Sequence, residues 1–299
     1  MDMSGYAPLV SCVITTHNRI DLLPRAIDSV LKQTYSNLEC IVVSDNSSDG
    51  TVEYCQGRVG IRFINITLDE SRGGNYARNV GIRSSNGEYV AFLDDDDYWL
   101  PTKIEKQVSL IDEKNCDLVY CGRSIESVGP DGSVSFFDTL PDRNNTGDMR
   151  KKVLLTIATT TTSAILLRKS ALFDIGLFDE NLKFWQEYEM LIRMAQRSPF
   201  YYVNEALIVY RVDRKDKNRL TNKYYEWLST ARYIRRKHIK LYRHLTLGEY
   251  KLYRLMFHDD AIARAETCGL PQEVEKHQNW IKFWKSPQIM RDKFIQLLR

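Results

Sequence analysis

The sequence predicts an α/β fold, a mixed sheet flanked by helices, with a helical C-terminal extension. Three observations lead there. Short apolar runs alternate with amphipathic stretches through the first hundred residues, the pattern of a parallel sheet covered by helices. Strand and helix patterns mix from about residue 101 to 215. From about Leu220 onward the pattern is helical, basic and interleaved with aromatic residues, among them Tyr224, Tyr225, Trp227, Tyr233 and Tyr242. A chain of 299 residues, 43% of them hydrophobic, can bury one large core and a smaller appendage. We therefore divide it into a body at 1–215, with halves at about 8–100 and 101–215, and an extension at 216–299.

In order along the chain, Val10–Thr15, Leu38–Ser44, Ile61–Ile66 and Tyr89–Leu93 read as strands. Between the first two, Leu22, Leu23, Ala26, Ile27, Val30 and Leu31 recur at helical spacing, which predicts a helix over 21–33 with Asp21 as its N-cap. Asp49 is placed to cap a short helix through Tyr54, and a Gly-Gly turn at Gly73 opens a helix to Ser84. A helix from Pro101 to about Lys114 precedes a strand at 118–120. A Gly129-Pro130-Asp131-Gly132 turn then joins two hairpin strands. Ser163–Leu167 reads as a strand, Gln186–Gln196 as a helix, and 200–203 with 207–212 as a strand pair.

Bulk properties exclude several classes. No apolar run approaches the roughly 20 residues needed to cross a bilayer, and residues 1–8 lack the basic start and apolar stretch of a secretory signal, so a cytoplasmic location is expected. Six cysteines without a CxxC pair read as reduced core thiols. Residues 211–299 carry 21 Lys and Arg against 10 Asp and Glu, a net +11 behind a body of −8. Such a tail suits an anionic partner, either a phosphate-rich substrate or an anionic membrane face, or else forms a solvated helical surface. We expect no nucleic-acid partner.

The chemistry concentrates at strand ends. Asp94-Asp95-Asp96-Asp97 follow the apolar strand Tyr89–Leu93, and four adjacent carboxylates there are best explained by a bound cation. Hard oxygen ligands suit Mg²⁺ or Mn²⁺, which would also neutralise a diphosphate. Thr15-Thr16-His17-Asn18-Arg19 and Ser44-Asp45-Asn46-Ser47-Ser48-Asp49 end the first two strands, and in a parallel sheet all three groups share one edge.

These segments, with GGNYARNVGI at 73–82, GEYVAFLDDDDYW at 87–99, FDENL at 178–182 and QEYEMLIRM at 186–194, closely resemble the inverting family 2 glycosyltransferases of bacterial surface polysaccharide synthesis, O-antigen or capsule. The likeness runs from Val10 to about Arg211. It implies a Rossmann-like glycosyltransferase A-type fold, with a nucleotide-binding half and an acceptor half over one sheet. It implies that Thr15, His17 and Asn18 line the base pocket and that Asp45 contacts the base, usually uracil. Asp94, Asp95 and Asp96 occupy the DxD position, with Asp96 as the metal ligand, and Arg72 and Arg78 could face the diphosphate. The general base falls at Glu187, where Asp is more usual, or at Glu189 if the register slips by two. Asp213 stands where many relatives carry a His.

The mechanism so implied is direct displacement. Glu187 takes a proton from an acceptor hydroxyl as it attacks the anomeric carbon, and the single base without an enzymic nucleophile implies inversion. The donor is a nucleotide diphosphate sugar, with UDP expected, and the acceptor a saccharide or lipid-linked saccharide. The acceptor region is expected around Thr159–Ser163 and the Phe178-Asp179-Glu180 loop. The extension, ending Trp280-Ile281-Lys282-Phe283-Trp284-Lys285, could rest on the inner membrane surface or pack against the body or a second copy. No GxGxxG or GxxxxGK[ST] supports a dinucleotide or P-loop reading. A nucleotidyltransferase would need a basic Gly-rich loop after the first strand, which is missing. A nucleotide-sugar binding module without transfer activity is the alternative.

Overall fold

A computed structural model describes residues 7–129, 131–156, 159, 161–213 and 223–286. The chain divides into two compact units, Met1–Arg150 with Ala158–Lys215, and Lys151–Ile157 with Asp216–Arg299. Inclusion of 151–157 in the second unit has no signature in the sequence.

The first unit is built on one mixed sheet. Its strands are β1 Val10–Thr16, β2 Leu38–Asp45, β3 Ile61–Ile66, β4 Tyr89–Asp94, β5 Tyr98–Trp99, β6 Leu118–Val128, β7 Val134–Thr139, β8 Leu166–Arg168 and β9 Phe200–Asp213. They run in the order β3-β2-β1-β4-β8-β6-β9-β5, with β7 paired to β6. β3, β2, β1 and β4 are mutually parallel; β8 is antiparallel to β4 and β6, and β9 is parallel to β6. The helices are α1 Leu23–Leu31, α2 Thr51–Gln56, α3 Gly74–Ser84, α4 Lys103–Lys114, α5 Lys169–Asp174 and α6 Gln186–Ala195. Alternate residues of β1, Val10, Cys12 and Ile14, join Leu23, Ala26, Ile27 and Val30 of α1 and Ile104, Val108 and Ile111 of α4 in one core. On the other face α3 crosses β1 at Gly81, where a Cβ would lie 2.3 Å from Val13 Cγ1, so only glycine permits the approach.

The differences from the sequence reading have local causes. Asp21 does not cap α1; Leu22 takes that place, and Pro24 supplies the ready-made φ of a first turn. Asp49 acts one residue outside the cap, because Gly50 at φ 92 starts α2 while Asp49 Oδ1 accepts from the Thr51 amide at 3.2 Å and Thr51 Oγ1 at 2.6 Å. The strand pair at 200–212 is a single strand, β9, whose irregularity is a register shift against β6 at Gly122. The strand at 118–120 continues unbroken to Val128 as the first arm of the hairpin. Residues 162–164 form a 3₁₀ turn rather than strand. All six cysteines are unpaired, five of them buried. Pro130, Thr160 and 220–222 lie outside the described residues.

In the second unit, α7 Tyr224–Lys237, α8 Ile239–Arg243, α9 Leu247–Thr267 and α10 Pro271–Lys285 carry the basic, aromatic sequence. Among the described residues no helix is long and apolar enough to cross a membrane. Thr246 and Glu249 form a capping box that starts α9. The core holds two imidazoles, His258 at 1% and His277 at 4% exposure. Tyr224 Oη donates to Glu273 at 3.0 Å, so His277 Nε2 donates to Tyr224 Oη at 2.7 Å. His277 Nδ1 then accepts from His258 Nδ1 at 2.7 Å, and His258 Nε2 accepts from Arg254 at 3.1 Å. Only the neutral form of both rings satisfies this relay.

Burial, with Arg254 and His277 beside it, pushes His258 down to about 3, and burial lowers His277 against the pull of Glu273. The unfolded chain takes up these protons below about pH 6.5, while the folded unit resists until far lower. The relay's contribution to stability is therefore complete above about pH 6.5 and declines as pH falls. We expect the melting midpoint followed by tryptophan fluorescence, to which Trp227, Trp280 and Trp284 of this unit contribute alongside Trp99 and Trp185, to drop from pH 7.5 to 5. The H277Q variant should show a shallower slope, and equal slopes would contradict the relay.

Candidate active site

Three parallel strand ends assemble the site. Register sets Thr15 beside both Val43 and Asp94, and β2 ends at Asp45 on the same edge. Asp45 is buried; its Oδ2 accepts from the Gly73 amide at 2.9 Å, and its buried Oδ1 has no partner among the described residues. A buried acceptor left without a donor costs about 1–3 kcal/mol, so a ligand N–H or O–H reaching this oxygen recovers it. His17 Nδ1 donates to the Asp45 carbonyl at 2.5 Å, leaving Nε2 to accept from Asn18 Nδ2 at 3.2 Å. Asn18, in the left-handed region at φ 53, accepts the Ser48 amide at 2.7 Å and donates its own amide to Ser47 at 3.0 Å. The two residues thus lie at Asp45 while their polar atoms knit the β1 and β2 loops together.

The four aspartates divide their work. Asp97, fully buried, accepts from Ser163 Oγ at 2.7 Å and the Arg211 amide at 3.2 Å, anchoring β9 and the turn before β8 beneath the cluster. Asp94 is bound by Arg78 at 2.6 Å. Asp95 and Asp96 share Arg19, whose Nη1 lies 3.2 Å from one and 2.5 Å from the other. Burial, opposed by Arg19 and reinforced by Asp96, pushes the Asp95 carboxyl up to about 7. Burial likewise raises Asp96 against Arg19, and raises Asp97 far above the carboxylate range.

Carboxylates so raised form a site that gains from added positive charge, and the Arg19 guanidinium is the cation standing between two of them. Among the described residues, no three His, Cys, Asp or Glu side chains are arranged to hold a metal by themselves. That donor set fits Mg²⁺ or Mn²⁺, ions bound through one or two carboxylates with substrate phosphates completing the shell. Asp96 is the carboxylate that would hold the ion, with Asp95 beside it on the shared Arg19.

Arg78, expected to face the diphosphate, is held by three side chains. Only 10% of its side chain is exposed, and besides Asp94 it donates to Gln186 Oε1 at 2.6 Å and to Asn75 Oδ1 at 3.4 Å. Its neighbours on α3 extend the clamp: Asn75 donates to the Asp179 carbonyl at 2.7 Å, and Asn79 exchanges bonds with Phe178 at 2.9 and 3.0 Å. The Phe178–Glu180 loop, expected to meet the acceptor, spends these backbone groups on α3. Arg72 remains exposed, its guanidinium 5.0 Å above the Tyr76 ring.

Gln186 opens α6 directly after Trp185, which sits at φ 50, and Glu187 occupies the first turn, half-buried. The Arg78 bridge therefore ties the turn bearing Glu187 to the aspartate cluster. Arg123 feels the Glu187 charge, which with Tyr210 and Asp97 offsets the lowering of its pKa by burial. Glu189 has 0% exposure and is gripped by Arg193 at 2.6 Å. Glu189 is thus buried and locked to its own helix, while Glu187 is the more exposed of the two carboxylates. Asp213 ends β9 with Arg211 at 3.4 Å, and Arg211 and Arg25 flank the buried Glu126 at 3.5 and 2.9 Å.

Arg19, Asn75, Asn79, Arg25 and Glu126 were not singled out from the sequence. Arg19 directly follows His17 and Asn18, and the 75, 78, 79 spacing places three polar groups on one face of α3. Glu126, 101 residues from Arg25, has no local signal.

A strand-end acidic site thus shares its sheet edge with the orphaned Asp45 oxygen, and the Arg78–Gln186 bond brings the turn bearing Glu187 to it, an arrangement suited to a ligand that carries hydrogen-bond donors and positive charge. The Glycosyl transferase family 2 profile matches residues 11–176. An uncharacterized glycosyltransferase of Rickettsia typhi is 35% identical over 235 residues, covering 76% of this chain and 71% of that one. The Escherichia coli UDP-Glc:alpha-D-GlcNAc-diphosphoundecaprenol beta-1,3-glucosyltransferase WfaP is 34% identical over 143 residues, 48% of this chain and 56% of its own. A mannosyltransferase of Pyrobaculum calidifontis, solved with GDP-Man and Mn²⁺, shares the fold at TM-score 0.62 and 17% identity over 94% of this chain and 85% of that one. The chain belongs to glycosyltransferase family 2. It is a glycosyltransferase with a glycosyltransferase A-type fold, which sets aside the binding-module alternative.

Proposed function

We propose that this chain transfers a sugar from a UDP-sugar to a hydroxyl of a saccharide or lipid-linked saccharide in bacterial surface polysaccharide synthesis, with inversion and with a divalent metal. The observation that carries the reading is the Arg78 bridge, which holds the Glu187 turn against Asp94 at the strand edge where Asp45 and Asp96 also lie. The uridine donor and lipid-linked acceptor are supported by the name of the Escherichia coli relative, and metal use by the Asp95 and Asp96 donor set and the Mn²⁺-bound structural neighbour.

In this reading Asp45 Oδ1 accepts from the base. Thr15, His17 and Asn18 shape its pocket, Asp94 and Asp95 face the ribose and diphosphate, and Asp96 is the metal ligand. Glu187 removes the acceptor proton. The bound metal supplies charge neutralisation for the departing diphosphate, and Arg72, with Arg19 once released from the aspartates, can add to it. Location at the cytoplasmic face of the inner membrane and self-association through the extension belong to the same proposal.

The test is thermal stabilisation by a panel of nucleotides and nucleotide sugars, with and without Mn²⁺. At 100 times Kd a ligand adds about 2.7 kcal/mol, which for a unit of this size is roughly 5–10 °C. UDP should give such a shift only with metal, and D45N should lose most of it. A folded protein that no nucleotide stabilises would sink the reading.

A further inference from the structure

The second unit holds a cleft of about 200 Å³ that the transfer reaction does not use. Successive turns of α7 present Leu228, Ala231, Arg232 and Arg235 to it, at helical spacings of three and four. α9 contributes Arg254 and Phe257, and α10 contributes Lys276 and Trp280. Three arginines and a lysine therefore surround an apolar and aromatic floor.

Their partners are mismatched to their charge. Arg235 donates to the Tyr250 hydroxyl at 3.0 Å and Arg254 to His258 at 3.1 Å, both neutral groups. The Nε atoms of both arginines are buried with no hydrogen-bond partner among the described residues, where neither arginine has a carboxylate within ion-pair distance. Arg254 also lies 5.7 Å from the Trp280 and Trp284 ring centres, fixed by aromatic faces rather than by an anion. Glu273, the carboxylate at the end of the relay, is taken by Lys276 at 2.9 Å and Tyr224 at 3.0 Å. By contrast, Arg19, Arg25 and Arg193 in the first unit pair with acids. Desolvating guanidinium donors without an acceptor costs free energy that an incoming anion returns. The relay from Arg254 through His258, His277 and Tyr224 to Glu273 holds one of these forks in a single orientation.

We propose that this cleft is a binding site for a phosphate group, with Arg235 and Arg254 as its paired forks, Arg232 at its rim and the aromatic floor taking an apolar portion of the same ligand. Guanidinium forks match phosphate oxygens in pairs. The group can arrive on a small phosphorylated molecule or as a phospholipid headgroup.

The experiment is calorimetric titration of the full chain, with chelator present so that the acidic site carries no metal and repels anions, using inorganic phosphate and pyrophosphate. In parallel, sedimentation with phosphatidylglycerol vesicles is compared with phosphatidylcholine vesicles. We expect one saturable site weakened at least tenfold by R235Q and by R254Q, with circular dichroism unchanged. Should R254Q unfold, R232Q, at an exposed position, is expected to weaken binding several-fold while R254K retains part of it. Loss in both assays assigns both sources; loss with vesicles alone assigns the headgroup, and with pyrophosphate alone the free ligand. Binding of neither ligand, or binding that every substitution leaves unchanged, overturns the proposal.

Discussion

E187Q is expected to reduce turnover by about 10²–10⁴-fold, the usual worth of a positioned general base, equivalent to about 3–5 kcal/mol of transition-state stabilisation. Glutamine keeps the size of the side chain but cannot accept the acceptor proton. Donor affinity should change little, since the base position meets the acceptor rather than the nucleotide. The result is read as kcat lost while the UDP-dependent thermal shift persists. E189Q is the internal contrast: its carboxylate is buried against Arg193, so its loss should lower the melting midpoint and leave the remaining folded enzyme active. A turnover loss confined to E189Q, with E187Q near wild type, would reverse the assignment.

R78M is the second large effect. Methionine preserves the buried stem but removes three bonds at once, to Asp94, Gln186 and Asn75. Asp94 is about a quarter exposed, so the cost of leaving it unpaired sits below the 3–5 kcal/mol of a fully buried pair, at about 2–3 kcal/mol. That corresponds to a fall in melting midpoint of roughly 5–10 °C. Because the clamp sets the Glu187 turn against the aspartates, kcat should also fall by about tenfold or more, as small misplacements of a catalytic group do. R78K restores charge but not the fork, and should recover stability better than turnover. If Arg78 instead contacts the diphosphate, R78M would raise the KM for donor with little effect on the melting midpoint.

Much of the β1–β4 half was legible because its signals are local. Each strand of β1 to β4 is an apolar run closed by polar residues, and parallel pairing puts such ends on one edge wherever the helices lie between them. Asp45, Asp94, Asp95 and Asp96 could be gathered on that logic alone. The helix starts were misplaced by one or two residues at Asp21 and Asp49 because several Asp and Ser side chains compete for each cap, and Pro24 and Gly50 decide through backbone geometry. The 200–212 segment looked like two strands because Asn204 and Glu205 interrupt its apolar pattern; the β6 register shift absorbs that interruption without ending the strand.

Pairings across long sequence distances were not legible. Nothing local to Arg78 announces that it joins Asp94 to Gln186; that contact depends on packing α3 against the Phe178–Glu180 loop. The same holds for Arg19 between Asp95 and Asp96, and for Arg25 with Glu126. In the extension, composition announced a basic and aromatic surface, but not that two of its histidines are buried neutral or that Arg235 and Arg254 converge without an acid. By itself the sequence determined the order of elements, the edge of the sheet that carries the chemistry and the residue types available there. The tertiary structure decided which carboxylates are partnered, which are raised by burial and which of Glu187 and Glu189 stays accessible. Burial and charge pairing depend on what the rest of the chain brings within a few ångströms, which no local pattern encodes.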